Sequence, residues 1–376
     1  MINFDKASIA PIKPEVIAAM NEIYKGEYGN PSSLHRLGFN AKKRLEESRE
    51  IIASTINAKP EEIFFISGAT EANNWINSIK NGKCITSDTV HHSLLGQYKE
   101  IPLDEKYKIT LEQVKYFCEK VMPINFLGDR VTIALEYINS EIGTISDITK
   151  IGEYLSFIDY IKFYVDATQA YGHIPIDVQK DNMDFMCVSA QKFGGPTGTG
   201  FLYMNKKWKD ILRSIQKGGQ QEFGFRAGTE NLAGIYGMAV AAEIAHQNMK
   251  DKRRKVSEIR NKLYGEITNN IPCAHLNGSA DWRCRYEGNL NFRFDGYRGE
   301  EIQSFMNDLD VLVSTGSACA SGSGEPSHVL KAIGLTDEEA NSSIRFSFDS
   351  DNHISEVVYV MQVLIAGLSI LKERKW

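Results

Sequence analysis

The sequence has no stretch approaching the roughly 20 uninterrupted apolar residues that a bilayer-spanning helix demands. Its first residues, Met1-Ile2-Asn3-Phe4-Asp5-Lys6, carry no basic-then-apolar leader. A cytoplasmic, non-membrane protein is the expectation. Cysteine is sparse, with six in 376 residues (Cys84, Cys118, Cys187, Cys273, Cys284 and Cys319), and no two of them form a CxxC pair or show metal-ligand spacing. A reducing compartment fits that usage, and no metal site is expected. An excess of positive charge is also missing: 43 basic and 48 acidic side chains leave a formal charge of −5, too small and of the wrong sign for a nucleic-acid surface. The short basic run Lys252 to Lys255 reads as a solvated helix face. Internal repeats, low-complexity tracts and a proline-rich linker are absent, so any two lobes are expected to move little against each other.

What is present is an ordinary globular balance of 42% hydrophobic and 24% charged residues, on a chain long enough to need more than one core. Helical spacing of apolar residues runs over Pro14 to Tyr24 and Ala41 to Ile56. Short apolar runs at Ile63 to Ile66, Val131 to Tyr137, Phe163 to Val165 and Phe185 to Val188 read as strands. This alternation predicts an α/β fold with a mainly parallel central sheet and crossover helices. A long helix from Asn231 to about Glu258 would lead to a smaller α+β C-terminal domain with strands at Asn289 to Phe294, Val311 to Val313 and Ile344 to Phe348, closed by a helix from Ile354 to Leu371. The expected division is a large domain over 12–255 and a small domain formed by 1–11 and 256–376.

Ligands in parallel sheets gather beyond the carboxyl ends of the strands. That rule collects Ser67-Gly68-Ala69-Thr70, His91, Asn139-Ser140, Asp166 and Lys192 at one rim, because each follows a strand-like run. Lys192 stands just past a buried strand and before Gly194-Gly195-Pro196, where a desolvated amine loses its proton more easily and can condense with an aldehyde. Asp166 ends the preceding strand and could face a pyridinium nitrogen; Ser67 to Glu71 is a strand-turn-helix junction suited to a phosphate. His91 could stack on an aromatic ring. Cys319 lies in the small-residue run Ser314 to Gly324, a setting for a thiol that carries a transferable group, and Arg345 lies in a strand where it could grip a carboxylate. Singly, each has a plainer reading: a surface lysine, a helix cap, a capping box, a satisfied histidine, a small loop residue, a structural ion pair.

Together these pieces resemble the cysteine desulfurases of the NifS and IscS type, among the fold-type-I pyridoxal-phosphate enzymes. The resemblance runs from Gly29-Asn30-Pro31-Ser32-Ser33 through Ser67 to Glu71, Val165 to Gln169, Arg226 to Asn231 and Gly316-Ser317-Ala318-Cys319 to Ser343-Ile344-Arg345. It implies that pyridoxal 5'-phosphate is held covalently on Lys192, with Asp166 on the pyridine nitrogen, Gln169 on the phenolic oxygen and His91 stacked on the ring. Ala69, Thr70 and Ser189 would seat the phosphate, with Thr229 reaching across from the partner of a homodimer. Arg345, helped by Asn30, would hold the carboxylate of L-cysteine, and Cys319 would take its sulfur as a persulfide, releasing alanine. The resemblance further implies a protein sulfur acceptor of iron-sulfur assembly, transfer-RNA thiolation or DNA phosphorothioation. Gln191 stands where the family usually has histidine, and Ser140 where it has a second asparagine; both are still expected beside the cofactor. The alternatives are another pyridoxal-phosphate aminotransferase or lyase, for which Cys319 is dispensable, and a degenerate scaffold that binds sulfur-relay partners.

Overall fold

The computed structural model describes residues 1–79, 82–95, 98–99, 101–122, 130–212, 214, 216–316 and 325–373. In chain order these form β1 (Ile2–Asn3), α1 (Pro14–Gly26), α2 (Arg36–Thr55), β2 (Ile63–Ile66), α3 (Ala69–Asn77), β3 (Gly82–Thr86), β4 (Tyr98–Lys99), β5 (Arg130–Glu136), β6 (Ile161–Asp166), β7 (Phe185–Ser189) and β8 (Gly200–Met204). Helices Leu232–His246 and Met249–Asn270 then lead to β9 (Ala274–Leu276), β10 (Asn289–Phe294), β11 (Val311–Leu312) and β12 (Ser343–Ser347), and helix Glu356–Glu373 follows.

The central sheet has the order β2-β8-β7-β6-β5-β3-β4. Strands β4, β3, β5, β6 and β7 pair in parallel; β8 runs antiparallel between β7 and β2. The two faces of the sheet separate by the two-residue period of a strand. Ile133, Leu135, Phe163, Val165, Met186 and Val188 meet α1, α2 and helix Leu232–His246 on one side. Ala134, Tyr164, Phe185, Cys187 and Leu202 meet Ala72, Trp75 and Ile76 of α3 on the other. Burial on both faces is why these strands read as continuous apolar runs. A separate cluster gathers Phe4, Val256, Ile259, Leu263, Leu290, Phe292, Ile344, Phe346, Val360 and Leu364 around the antiparallel sheet β12-β10-β9. The N-terminal strand joins it, with β1 parallel to β11.

The single helix expected from Asn231 to Glu258 is instead two. Gln247 is extended and Asn248 takes a left-handed φ of 53°, a conformation asparagine tolerates better than most residues. The break also corrects the reading of the basic run at two of its four positions, Arg254 and Lys255 being exposed as expected. Lys252 is half-buried, and its ammonium donates to the carbonyls of Ile244 and Ala245 at the end of the preceding helix, while Arg253 pairs with Glu287. A cation at a helix C-terminus satisfies carbonyls that have no partner within the helix.

Candidate active site

Beyond the carboxyl ends of β2, β5, β6 and β7 lies a cavity of about 160 Å³, lined by residues that include Ala69, Thr70, His91, Ser140, Asp166, Gln169, Ser189, Gln191, Lys192 and Arg345. Ten of the residues singled out in the sequence therefore share one wall. Asn30 and Thr229 do not line it. Asn30 is exposed, with its Oδ1 accepting from the Ser32 N–H at 2.9 Å, and Thr229 is exposed as well. Cys319 lies outside the described residues.

Each side chain is positioned by local structure. After β7 the chain makes a tight turn, Ala190–Lys192, which lifts the lysine off the end of the sheet. The Lys192 ammonium donates to the backbone carbonyls of Ala7 (2.8 Å) and Ser8 (2.7 Å), so the N-terminal segment closes one side of the cavity. Gln169 donates to the same Ala7 carbonyl at 3.1 Å. Asp166 accepts from the Thr168 N–H at 3.0 Å and from the amide of Asn73 at 3.1 Å, a fixed orientation for a carboxylate 5% exposed. The helix-cap reading of Asp166 does not hold, because residues 168–173 form turns and the first of these bonds closes a turn; its place on the cavity wall is what remains.

The junction between β2 and α3 depends on Gly68, whose φ of 153° lies in territory nearly restricted to glycine. A Cβ there would stand 3.1 Å from Ser189 Oγ, the atom that accepts the Ala69 N–H at 2.8 Å. Gly68→Ala is expected to cost about 1–3 kcal/mol of stability and to loosen the start of α3; denaturant unfolding of the two proteins checks this. Glu71, one turn on, bonds Arg226 at 3.0 Å and accepts from the Ser67 N–H, which ties this corner to the segment that carries Thr229.

Arg345, 2% exposed, crosses from the small lobe: it donates to Ser140 O (3.0 Å), Asp5 (2.8 Å) and Ser8 Oγ (2.9 Å). Its structural ion pair is thus real. Even so, its Nε has no hydrogen-bond partner among the described residues, and neither do Thr168 Oγ1 and Gln191 Oε1. Buried polar atoms are rarely left unsatisfied, and these three belong to residues that line the same cavity. They mark a polar ligand with several acceptor and donor groups. His91 is anchored through its ring to Ser93 Oγ (2.7 Å); burial and the nearby Lys192 ammonium lower its pKa against the opposing pull of Asp166, so the imidazole is neutral at physiological pH.

Two wall residues, Glu136 and Ser93, and two behind the wall, Asn73 and Asp5, escaped the sequence reading. Asn73 bonds Asp166, Ser93 bonds the His91 ring and Asp5 pairs with Arg345. Only Glu136 had a signal, as the one carboxylate inside the apolar run Val131 to Tyr137. A second cavity of about 130 Å³ lies behind the lysine, lined by His173, Phe193, Lys252 and Asp351 among others. Its Lys13 and Asp351 are paired with each other, and its Arg253 with Glu287, so the reactive groups concentrate in the first cavity.

The class-V aminotransferase family model matches residues 2–360. A curated relative named cysteine desulfurase IscS, from Clostridium botulinum (strain Hall), is 38% identical over 392 residues, covering all of this chain and 95% of its own. The chain belongs to the cysteine desulfurases of the class-V aminotransferase family. Among solved structures, a NifS-like protein superposes on this desulfurase with a TM-score of 0.87 at 28% identity, over 98% of this chain and 100% of its own. A structure described as SspA in complex with cysteine gives a TM-score of 0.76 at 29% identity, over 93% and 99% of the two chains. The desulfurase family and the fold-type-I architecture expected from the sequence are those found. No described helix is long and apolar enough to cross a membrane, and the described residues include no cluster fit to hold a metal ion.

Proposed function

We propose that this chain uses pyridoxal phosphate to take sulfur from L-cysteine, leaves alanine, and passes the sulfur from a persulfide on Cys319 to an acceptor protein. The observation that carries this reading is the cavity wall itself: an amine, a buried carboxylate, a neutral histidine ring and three unpartnered polar atoms around one space. Those groups fit pyridoxal phosphate. Lys192 would hold it, with Asp166, Gln169 and His91 around the ring and Ala69, Thr70, Ser189 and Gln191 at the phosphate, joined by Thr229 from the partner of a homodimer. When bound, the cofactor supplies an aldehyde that condenses with amines and a ring that withdraws electrons from an amino acid's α-carbon.

The protein's own groups do the rest. Arg345 holds the cysteine carboxylate; Asn30, exposed and off the cavity wall, has no part in the grip within one chain. Lys192 moves protons at the α- and β-carbons of the amino acid. The Cys319 thiolate attacks the cysteine sulfur; the new S–S bond forms as the C–S bond breaks, and the electron pair left on carbon is protonated to give alanine. Sulfur leaves the persulfide on attack by an acceptor thiol, in iron-sulfur assembly, transfer-RNA thiolation or DNA phosphorothioation.

The test is reconstitution of the purified protein with pyridoxal phosphate, followed by L-cysteine and a thiol reductant. A yellow protein that forms alanine and sulfide in equal amounts, with a Cys319 peptide heavier by one sulfur before reductant is added, supports the proposal. A colourless protein, or amino transfer to a keto acid without alanine, overturns it. Within the same assay, Arg345→Lys exchanges a rigid fork for a flexible point charge. A charge-assisted bond of about 1.5–3 kcal/mol is at stake, so KM for cysteine is expected to rise roughly 10- to 100-fold while kcat falls less.

A further inference from the structure

One side chain behind the cavity wall serves two of the wall's residues at once. Asn73 of α3 is fully buried, and its amide nitrogen lies 3.1 Å from Asp166 Oδ2 and 2.9 Å from Ser93 Oγ. Ser93 in turn meets His91 Nδ1 twice, through its backbone N–H at 3.2 Å and its Oγ at 2.7 Å. The direction of each hydrogen bond follows from that backbone N–H, which can only donate. Nδ1 is therefore an acceptor, and the proton of the ring is on Nε2. A hydroxyl oxygen 2.7 Å from an acceptor nitrogen has its proton between them, so Ser93 Oγ donates to Nδ1 and has only lone pairs left for Asn73. The Asn73 atom that faces it is then the NH2 group, whose second hydrogen goes to Asp166 Oδ2. On the far side Asn73 Oδ1 accepts from the Tyr164 hydroxyl and from the Cys187 thiol at 3.6 Å. Tyr164 and Asp166 stand two residues apart on one face of β6, and Cys187 of β7 is beside Asp166 in the register, which is how donor and acceptor come to flank a single amide.

We infer that Asn73 is a positioning residue for both groups: its amide holds the Asp166 carboxylate and, through Ser93, keeps the His91 proton on Nε2 with the Nδ1 lone pair closed. A base needs a free lone pair, and the one on this ring is shared by the Ser93 N–H and O–H. His91 therefore meets its ligand as a neutral ring with an N–H to donate. For it to take up a proton, the Ser93 hydroxyl would first have to turn away and the backbone N–H bond would have to break. The amide belongs to α3, the hydroxyl and imidazole to the turn after β3, and the carboxylate to β6, so one side chain ties three elements at the cavity.

This deepens the proposed function, in which Lys192 and not His91 moves protons, and rests on it for the identity of the ligand; its test needs no cofactor. Nitrogen-15 NMR of the imidazoles in the full-length, cofactor-free chain reads the tautomer directly, with the His91 signals assigned by their loss in His91→Gln. Wild type is expected to show an unprotonated Nδ1 and a protonated Nε2 for this ring. In Asn73→Ala the Ser93 hydroxyl loses the donor that orients it, and the ratio of Nε2–H to Nδ1–H is expected to fall about tenfold, the scale of one hydrogen bond. Exchange of the Thr168 amide, which donates to Asp166 Oδ1, is expected to accelerate in the same variant because the carboxylate is freed on its other side. Ser93→Ala should shift the ring ratio in the same direction and leave Thr168 exchange unchanged, and adding Asn73→Ala to it should move the ring no further. Ser93 is half-buried at the cavity wall, so Ser93→Ala keeps the test open if Asn73→Ala does not fold. A wild-type ring protonated on Nδ1, or a ring ratio that both variants leave unchanged, overturns the inference whether or not the protein turns over cysteine.

Discussion

Lys192→Ala is expected to lower cysteine turnover by on the order of 10³–10⁴-fold or more, and to leave the protein colourless after incubation with pyridoxal phosphate. Positioned proton transfer alone is worth roughly 10²–10⁴-fold, and the same amine is the proposed tether of the cofactor. The lysine's surroundings explain why no neighbour replaces it. It is the amine held by the Ala7 and Ser8 carbonyls at the end of β7, within a turn whose first residue, Ala190, is fully buried. Lys252 is committed to helix carbonyls behind the wall. Loss of the ammonium frees two carbonyls that water can reach through the opened space, so the melting temperature should change little. Absorbance, single-turnover alanine formation and thermal melting together separate a lost amine from a lost fold. Retention of a tenth of wild-type turnover would remove Lys192 from its proposed role.

The second large effect is expected from Cys319→Ala: alanine formation with persulfide transfer falls by at least about 10³-fold, on the scale of losing a catalytic nucleophile, while the visible absorbance of the bound cofactor remains. The argument is one of thiolate supply. Sulfur attack needs an ionised thiol, and burial pushes Cys84 and Cys118 up to about 12. Complete burial, with Asp166 beside it, raises Cys187 well above the usual thiol range. Cys273 is raised by burial, and neither it nor Cys284 lines the cavity. Those five are the cysteines among the described residues. Cys319 has the remaining thiol, in a run of glycine, serine and alanine. Cys284→Ala is the control and should keep full activity. A Cys319→Ala protein that still yields alanine and sulfide at the wild-type rate would favour an aminotransferase or lyase instead.

The two effects also divide the reaction. Colour lost with Lys192→Ala and kept with Cys319→Ala would assign the first residue to cofactor retention and the second to the sulfur alone. Gly68→Ala and Arg345→Lys should fall between, since one loosens the α3 corner and the other weakens substrate grip without touching either nucleophile.

Much of this protein was legible before any fold was known, because a strand buried on both faces must be a continuous apolar run and the first polar residue after it must emerge at the sheet's edge. Asp166, Lys192 and the turn at Gly68 declare themselves in that way, as does the parallel character of β5, β6 and β7. The alternating apolar residues of β6 go to two different cores, which a period of two dictates. Local exceptions were not legible: Asn248 and the capping role of Lys252 depend on how two helices meet, which helical periodicity does not record.

Tertiary structure alone decided what surrounds the reactive groups. The Ala7 and Ser8 carbonyls reach Lys192 across more than 180 positions, and Asp5 reaches Arg345 across 340. Backbone oxygens carry no mark in a sequence, since every residue has one. Glu136 is visible as a carboxylate in an apolar strand, but only the register sets it against Asp166. Residue types and their order thus determined which chemical groups the chain owns and which rim they occupy; folding determined their partners, because hydrogen bonding and electrostatics act through distances that chain order does not contain.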